Sequence, residues 1–148
     1  MYEEEIQFLD KVEDKNEIGG RIKYSNTDIE KLIEDYPMLP IEYQRYLTEI
    51  GYGVIRECQF ALYSGLVKIE AVLDEHSLNK ANIDMNKYLI FGDNMSGDIS
   101  GFDTSAGWAI IEYIHDEHRI AKRVASFKQY IRSKMLLDSD GADLRNSV

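Results

Sequence analysis

Residues 88–125, YLIFGDNMSGDISGFDTSAGWAIIEYIHDEHRIAKRVA, decide the fold. Four short apolar runs follow one another here with a period of two: Tyr88 to Gly92, Ile99 to Asp103, Trp108 to His115 and Arg119 to Ala125. The links between them hold Gly97 and Gly107, Gly101 lies inside the second run, and His115-Asp116-Glu117-His118 reads as a hairpin turn. Links this short cannot hold a crossover helix, so consecutive strands must be antiparallel neighbours in a meander.

Outward from this stretch the period changes. Ser126 caps a last helix that sets Phe127, Tyr130, Ile131 and Met135 on one side. On the N-terminal side, Tyr2 to Glu13 reads as a first helix with Ile6, Leu9 and Val12 on one face. Glu3, Glu4 and Glu5 fall in its first turn, where carboxylates favour the positive end of the helix dipole. Gly19-Gly20 breaks the chain. Thr27-Asp28-Ile29-Glu30 reads as a capping box, and behind it Ile29, Leu32, Ile33 and Tyr36 form a stripe suited to one buried face. Pro37 ends that helix. Pro40 opens a third at its first position, Tyr43, Tyr46, Leu47 and Ile50 repeat the stripe, and Gly51 is a natural C-cap. Val54, Cys58, Phe60 and Leu62 share one face of an expected strand that Arg56 interrupts. Leu66 to Leu73 suits a short helix slightly better than a strand, and His76 to Lys87 reads as loop.

Helices gathered at one end and strands in a run give an α+β fold, a single domain over residues 1–137 with an antiparallel sheet flanked by N-terminal helices and a C-terminal helix. Residues 138–148, which begin Asp-Ser-Asp-Gly-Ala-Asp, read as a flexible acidic tail.

Composition narrows the function classes. The apolar share of 44% over 148 residues, with 16 aromatic rings, is enough for a real core. Seventeen Lys and Arg stand against 27 Asp and Glu, a formal net charge of -10. Phosphate-binding surfaces are basic, so nucleic acid and anionic membranes are poor partners, whereas a basic protein would be steered in quickly. A single cysteine, Cys58, forms no internal disulfide and fits a reducing compartment. The N-terminus has the wrong charge for a signal peptide, and no stretch approaches the roughly 20 apolar residues of a membrane span. The expectation is a cytoplasmic protein.

Catalytic signatures are thin. The chain has no phosphate loop, no nucleophile elbow and no dinucleotide fingerprint. Asp93-Asn94-Met95-Ser96-Gly97-Asp98 superficially resembles a calcium loop, but Met95 and Gly97 stand where side-chain oxygens are needed and Asp98 stands where glycine is required. Asx-type turns explain it better. His115 and His118, with only Cys58 and His76 as further soft ligands, fall short of a zinc set. No His or Lys beside Cys58 marks it as an activated thiolate. Asp93, Asp98, Asp103 and Asp116 lie in or near the strand links, where carboxylates usually sit, although a raised-pKa pair for acid–base work would look the same. Trp108, opening a strand after Gly107, serves either the core or an interface, core being the commoner use. The reading is of a binding protein without cofactor or metal, not an enzyme.

Three ordered segments carry a family resemblance. Leu39-Pro-Ile-Glu-Tyr-Gln-Arg-Tyr-Leu-Thr-Glu-Ile-Gly-Tyr-Gly53 resembles the "Leu-Pro, helix, aromatic-Leu, Gly-x-Gly" segment of the SUKH superfamily. Tyr88-Leu-Ile-Phe-Gly-Asp-Asn-Met-Ser-Gly-Asp-Ile-Ser-Gly-Phe-Asp103 is similar to its second signature, and Ala125-Ser-Phe-Lys-Gln-Tyr-Ile131 to its closing helix. The resemblance runs from Ile29 to Met135, leaves out the first helix and the tail, and is weakened by Arg56 on a half-buried strand. It implies an α+β fold in which Leu39, Pro40, Gly51, Gly92, Asp93, Gly97, Phe102 and Asp103 serve turns, caps and packing. It further implies an immunity protein that binds and neutralises the toxin domain of a secreted polymorphic toxin, often a nuclease. The alternative it leaves is a Smi/Knr-type regulatory scaffold. A nuclease is basic where it meets phosphate, so acidic loops occluding its cleft are the expected mechanism. Asp93, Asp98, Asp116 and Glu117, with Trp108, are the expected partner contacts. A homodimer through a sheet edge or the aromatic surface is compatible with the same sequence.

Overall fold

A computed structural model describes residues 1–13, 20–55 and 60–144. Six strands, β1 (Gly53–Ile55), β2 (Phe60–Lys68), β3 (Tyr88–Asp93), β4 (Ile99–Asp103), β5 (Ala109–Ile114) and β6 (Arg119–Arg123), form one sheet in the order β1-β2-β3-β4-β5-β6. Every neighbouring pair is antiparallel. The helices are α1 (Glu3–Val12), α2 (Asn26–Asp35), α3 (Ile41–Glu49), α4 (Glu75–Lys80) and α5 (Phe127–Lys134). The chain is therefore the expected α+β meander, and among the described residues no helix is long and apolar enough to cross a membrane.

The strand period of two divides the apolar residues between two cores. Phe60, Leu62, Phe91, Phe102 and Ile110 face α1, α3 and α5. Ile90, Ile99, Ile111 and Tyr113 face the other way and are covered by the β2–β3 connection through Ile69, Leu73, Leu78 and Ile83. That connection contains a 3-10 turn at Ile69–Ala71 and then α4, whose N-cap Asp74 accepts from the Ser77 N–H. Here the sequence reading misses twice. β2 runs on to Lys68 where a helix was favoured, and α4 lies within the segment read as loop.

Other details differ as well. The expected single strand around Phe60 is a hairpin, with Ile55 paired to Phe60 and Gly53 to Leu62; Arg56 and Cys58 lie outside the described residues. The cap of α2 is Ser25, not Thr27: Ser25 Oγ accepts from the Asp28 N–H at 3.1 Å and Asp28 accepts in return from the Ser25 N–H at 3.1 Å. The box has the same chemistry two residues earlier. None of α2 is fully buried; Ile29, Leu32, Ile33 and Tyr36 are half-buried at the margin of the core. In α1 the buried residues are Glu5, Phe8 and Leu9, so the apolar stripe is centred one step away from Ile6 and Val12. α5 agrees with its reading: Ser126 and Gln129 form a capping box, and Phe127, Tyr130, Ile131 and Met135 are buried. Residues 138–144, expected as tail, fold back through a Leu137–Asp143 bridge and an Arg132 hydrogen bond to the Asp138 carbonyl at 2.9 Å.

Gly51 ends α3 with φ +99°, and a Cβ there would stand 2.4 Å from the Ile22 carbonyl oxygen. Both the left-handed backbone and the Ile22–Tyr52 bridge beside it require glycine.

Glu5 on α1 and Arg132 on α5 meet at 2.8 Å, with side chains 1% and 13% exposed. Removing one partner of such a pair strands a buried charge, whereas replacing both by apolar groups does not. Arg132→Ala is expected to cost about 3 kcal/mol in urea unfolding, and Glu5→Leu/Arg132→Met to recover most of it. An equal loss in both variants would contradict the ion pair as the cause.

Candidate functional site

A meander alternates its turns between two ends. The β3–β4 and β5–β6 turns lie at one end and the β4–β5 turn at the other. The sheet thus brings together Asp93, Asp98, Asp116 and Glu117 and puts Trp108 at the opposite end. The expected contacts form two sites, not one.

At the acidic end, the β3–β4 loop is built from Asx turns. Asp93 Oδ1 accepts from the Met95 N–H at 2.7 Å, and Asn94 Oδ1 accepts from the N–H groups of Ser96 and Asp98 at 2.9 and 3.1 Å. Asp93 Oδ2 takes the Tyr63 hydroxyl at 2.7 Å. Asp98 Oδ1 accepts both the backbone N–H (3.0 Å) and the ring Nδ1–H (2.6 Å) of His115, which locks the β3–β4 loop to the β5–β6 turn. The ring Nε2 of His115 lies 3.0 Å from Asp116. Gly97, at φ +103°, carries no Cβ because one would press within 3.0 Å of the His115 ring. Glu117 pairs with Arg119.

These contacts sort the four carboxylates. Asp93 and Asp98 are held inside the loop and serve the fold. Asp116, 83% exposed, and Glu117, 52% exposed, stand at the tip of the turn. His115 and His118 do not converge: His118 Nδ1 lies 3.3 Å from the Tyr113 hydroxyl. Among the described residues no group of three or more His, Cys, Asp or Glu side chains is placed to hold a metal ion.

At the other end, Asp103 organises the β4–β5 turn. Its Oδ1 accepts from the N–H and hydroxyl of Ser105, and its carbonyl from the Trp108 N–H at 3.0 Å. Gly107 (φ +65°) and Trp108 (φ +61°) both occupy the left-handed region, and the Ala109 N–H returns to the Ala106 carbonyl at 3.3 Å. A bulky residue at such a position is uncommon. The indole is half-buried, 5.5 Å from Phe102 and 6.1 Å from Tyr36, centroid to centroid. Beside it opens a groove of about 360 Å³, lined by Tyr36, Lys68, Glu70, Met85 and Tyr88 among others. A second concavity of about 280 Å³ lies farther along α2, between Tyr24, Asp28, Asp35 and Tyr52. Sequence reasoning misses Tyr36 as a groove residue because its helical stripe reads as a buried face, and Tyr88 because it reads only as the start of a strand. It missed His115 as a clamp, because pairing to Asp98 depends on turn register.

One edge strand of the sheet, β6, carries Arg119, Lys122 and Arg123. Symmetric antiparallel pairing of two such edges about Ala121 would set Arg119 opposite Arg123, an unfavourable juxtaposition for a dimer at this edge.

No family model, curated protein or solved structure matches this chain.

The Asp98–His115 clamp is titratable. The hydrogen bond that the His115 ring donates to Asp98, helped by the Asp116 charge, raises His115 above its ordinary 6.5. Partial burial alone would raise Asp98, but the backbone and ring N–H groups of His115 outweigh it and hold the carboxyl below its ordinary 3.8. The His115 contribution is complete below its ordinary pKa and is lost as pH rises through the raised one. The Asp98 contribution is complete above its ordinary pKa and is lost as pH falls through the lowered one. The melting-temperature gap between wild type and His115→Ala is therefore expected to be widest near about pH 5–6 and to narrow toward both pH 3 and pH 9. A gap independent of pH would contradict the clamp.

Proposed function

We propose that this protein is a cytoplasmic inhibitory binding module of the SUKH immunity type, which neutralises a basic, nuclease-type toxin domain by occluding its substrate cleft. The single observation that carries the reading is the preorganised acidic tip: Asp116 and Glu117, exposed at the end of a hairpin that His115 ties to Asp98. A cleft shaped for phosphate presents cations at the spacing of an anionic backbone, and a rigid turn bearing two carboxylates meets them without first having to be ordered. The formal net charge of -10 supports the same reading through rate, since it draws a basic partner in over long range.

The partner is expected to be encoded beside this protein, as the C-terminal domain of a larger toxin. Co-expression with that domain should restore growth and yield a complex that dissociates at high salt. The tip variant Asp116→Lys/Glu117→Lys should slow association about tenfold at low ionic strength. If the chain neither rescues growth nor forms a salt-sensitive complex, the reading is wrong.

A further inference from the structure

We propose that the groove between Tyr36, Tyr88 and Trp108 binds a small zwitterion that carries a flat ring, namely a free aromatic amino acid. The site goes beyond the toxin-binding reading and stands or falls without it.

The walls select the ring. The concavity holds about 360 Å³, within the roughly 300–1,000 Å³ of small-molecule sites. Tyr36 and Trp108 cross at 72° with centroids 6.1 Å apart, and Met85 adds a thioether to the lining. Such walls receive a further aromatic ring edge-on or offset. The Asp103-centred turn holds Trp108 at φ +61°, so the indole wall is set before a ligand arrives.

The rim selects the charges. Lys68 lies opposite Leu89, and Leu89 opposite Phe102, whose ring is 5.5 Å from Trp108. Residues directly opposite one another in a sheet share a face, so the Lys68 side chain leaves on the Trp108 side. Ile69 follows, fully buried in the second core, and Glu70 returns to the groove lining. Lys68 and Glu70 do not pair with each other, and among the described residues neither has another ion-pair partner. One unpaired charge of each sign cancels at long range, which gives no preference for a charged ligand overall. At contact range the same two groups match a molecule with a carboxylate and an ammonium on one carbon. An aromatic residue inside a peptide has neither group, and a peptide terminus has only one. The free amino acid has both. Asn86, on the same lining, adds an amide donor and acceptor.

Trp108 is the sole tryptophan of the chain, and phenylalanine does not absorb where tryptophan is selectively excited. The full chain is titrated with L-phenylalanine, and amide shifts are mapped by NMR. The expected result is a saturable change in Trp108 emission with a midpoint of about 1 mM, and shifts concentrated at residues 36, 68–70, 85–89 and 104–108. Three analogues dissect the charges at low salt. N-acetyl-L-phenylalanine, which lacks the ammonium, and L-phenylalanine amide, which lacks the carboxylate, should each bind about fivefold more weakly. Glu70→Gln should erase the preference over the acetylated analogue and keep that over the amide. Lys68→Gln should do the reverse. Both residues are exposed, so both variants should melt as wild type does. The proposal is overturned by the lack of a saturable response at about 10 mM, or by equal binding of N-acetyl-L-phenylalanine amide, which carries neither charge. Preferences that neither substitution alters would overturn it too.

Discussion

The ring of Tyr43 is where helices and sheet are joined. It is fully buried on α3, edge-on to Phe102 of β4 at 5.5 Å and to Phe127 of α5 at 5.3 Å, and 6.1 Å from Phe91 of β3. Phe91 itself lies 5.0 Å from Phe102 and 5.2 Å from Phe127. Each such ring removes roughly 150–250 Å² from water, and each well-placed ring pair adds about 0.5–1.5 kcal/mol beyond that. The cluster fixes α3 and α5 over the middle strands, and Tyr2 extends it to α1 through Tyr46 at 5.5 Å. With the centre of the sheet held this way, its turns become rigid mounts at either end.

The two ends use that rigidity differently. At the acidic end, inward-facing acids are consumed by turn geometry, and what projects is the Asp116–Glu117 tip. At the other end, α2 is only half-embedded, and its margin with the β2–β3 connection and the β4–β5 turn leaves an aromatic groove. The groove end depends on a local arrangement that does not improve stability, a tryptophan held in a left-handed turn. Departures from local preference of this kind are expected where a surface has been shaped for a partner.

Much of the fold was legible because its signals are local and repeat. The bounds of β4 and the Ser126 cap follow from alternation and capping chemistry alone. What escaped depended on register or on distant partners. The spacing from Val54 to Leu62 does not distinguish one strand from two paired ones, and nothing between Leu66 and Lys87 shows that it covers the second face of the sheet. The stripe on α2 has the spacing of a core helix, yet whether it is buried depends on how much of the chain lies above it. The candidate site was legible in residue type and not in grouping. In the sequence Asp93, Asp98, Asp116 and Glu117 lie in loops and turns and Trp108 opens a strand; only the parity of strands in a meander separates Trp108 from the other four.

The claim that organises this account is electrostatic: an acidic, prefolded surface meets a basic partner. Its most direct test is the association rate constant with the basic toxin domain proposed as partner, measured across ionic strength from about 10 to 500 mM, where screening shortens from roughly 30 Å to a few ångströms. The account predicts a steep fall in association rate with a dissociation rate that changes little. An association rate that does not respond to salt would contradict it.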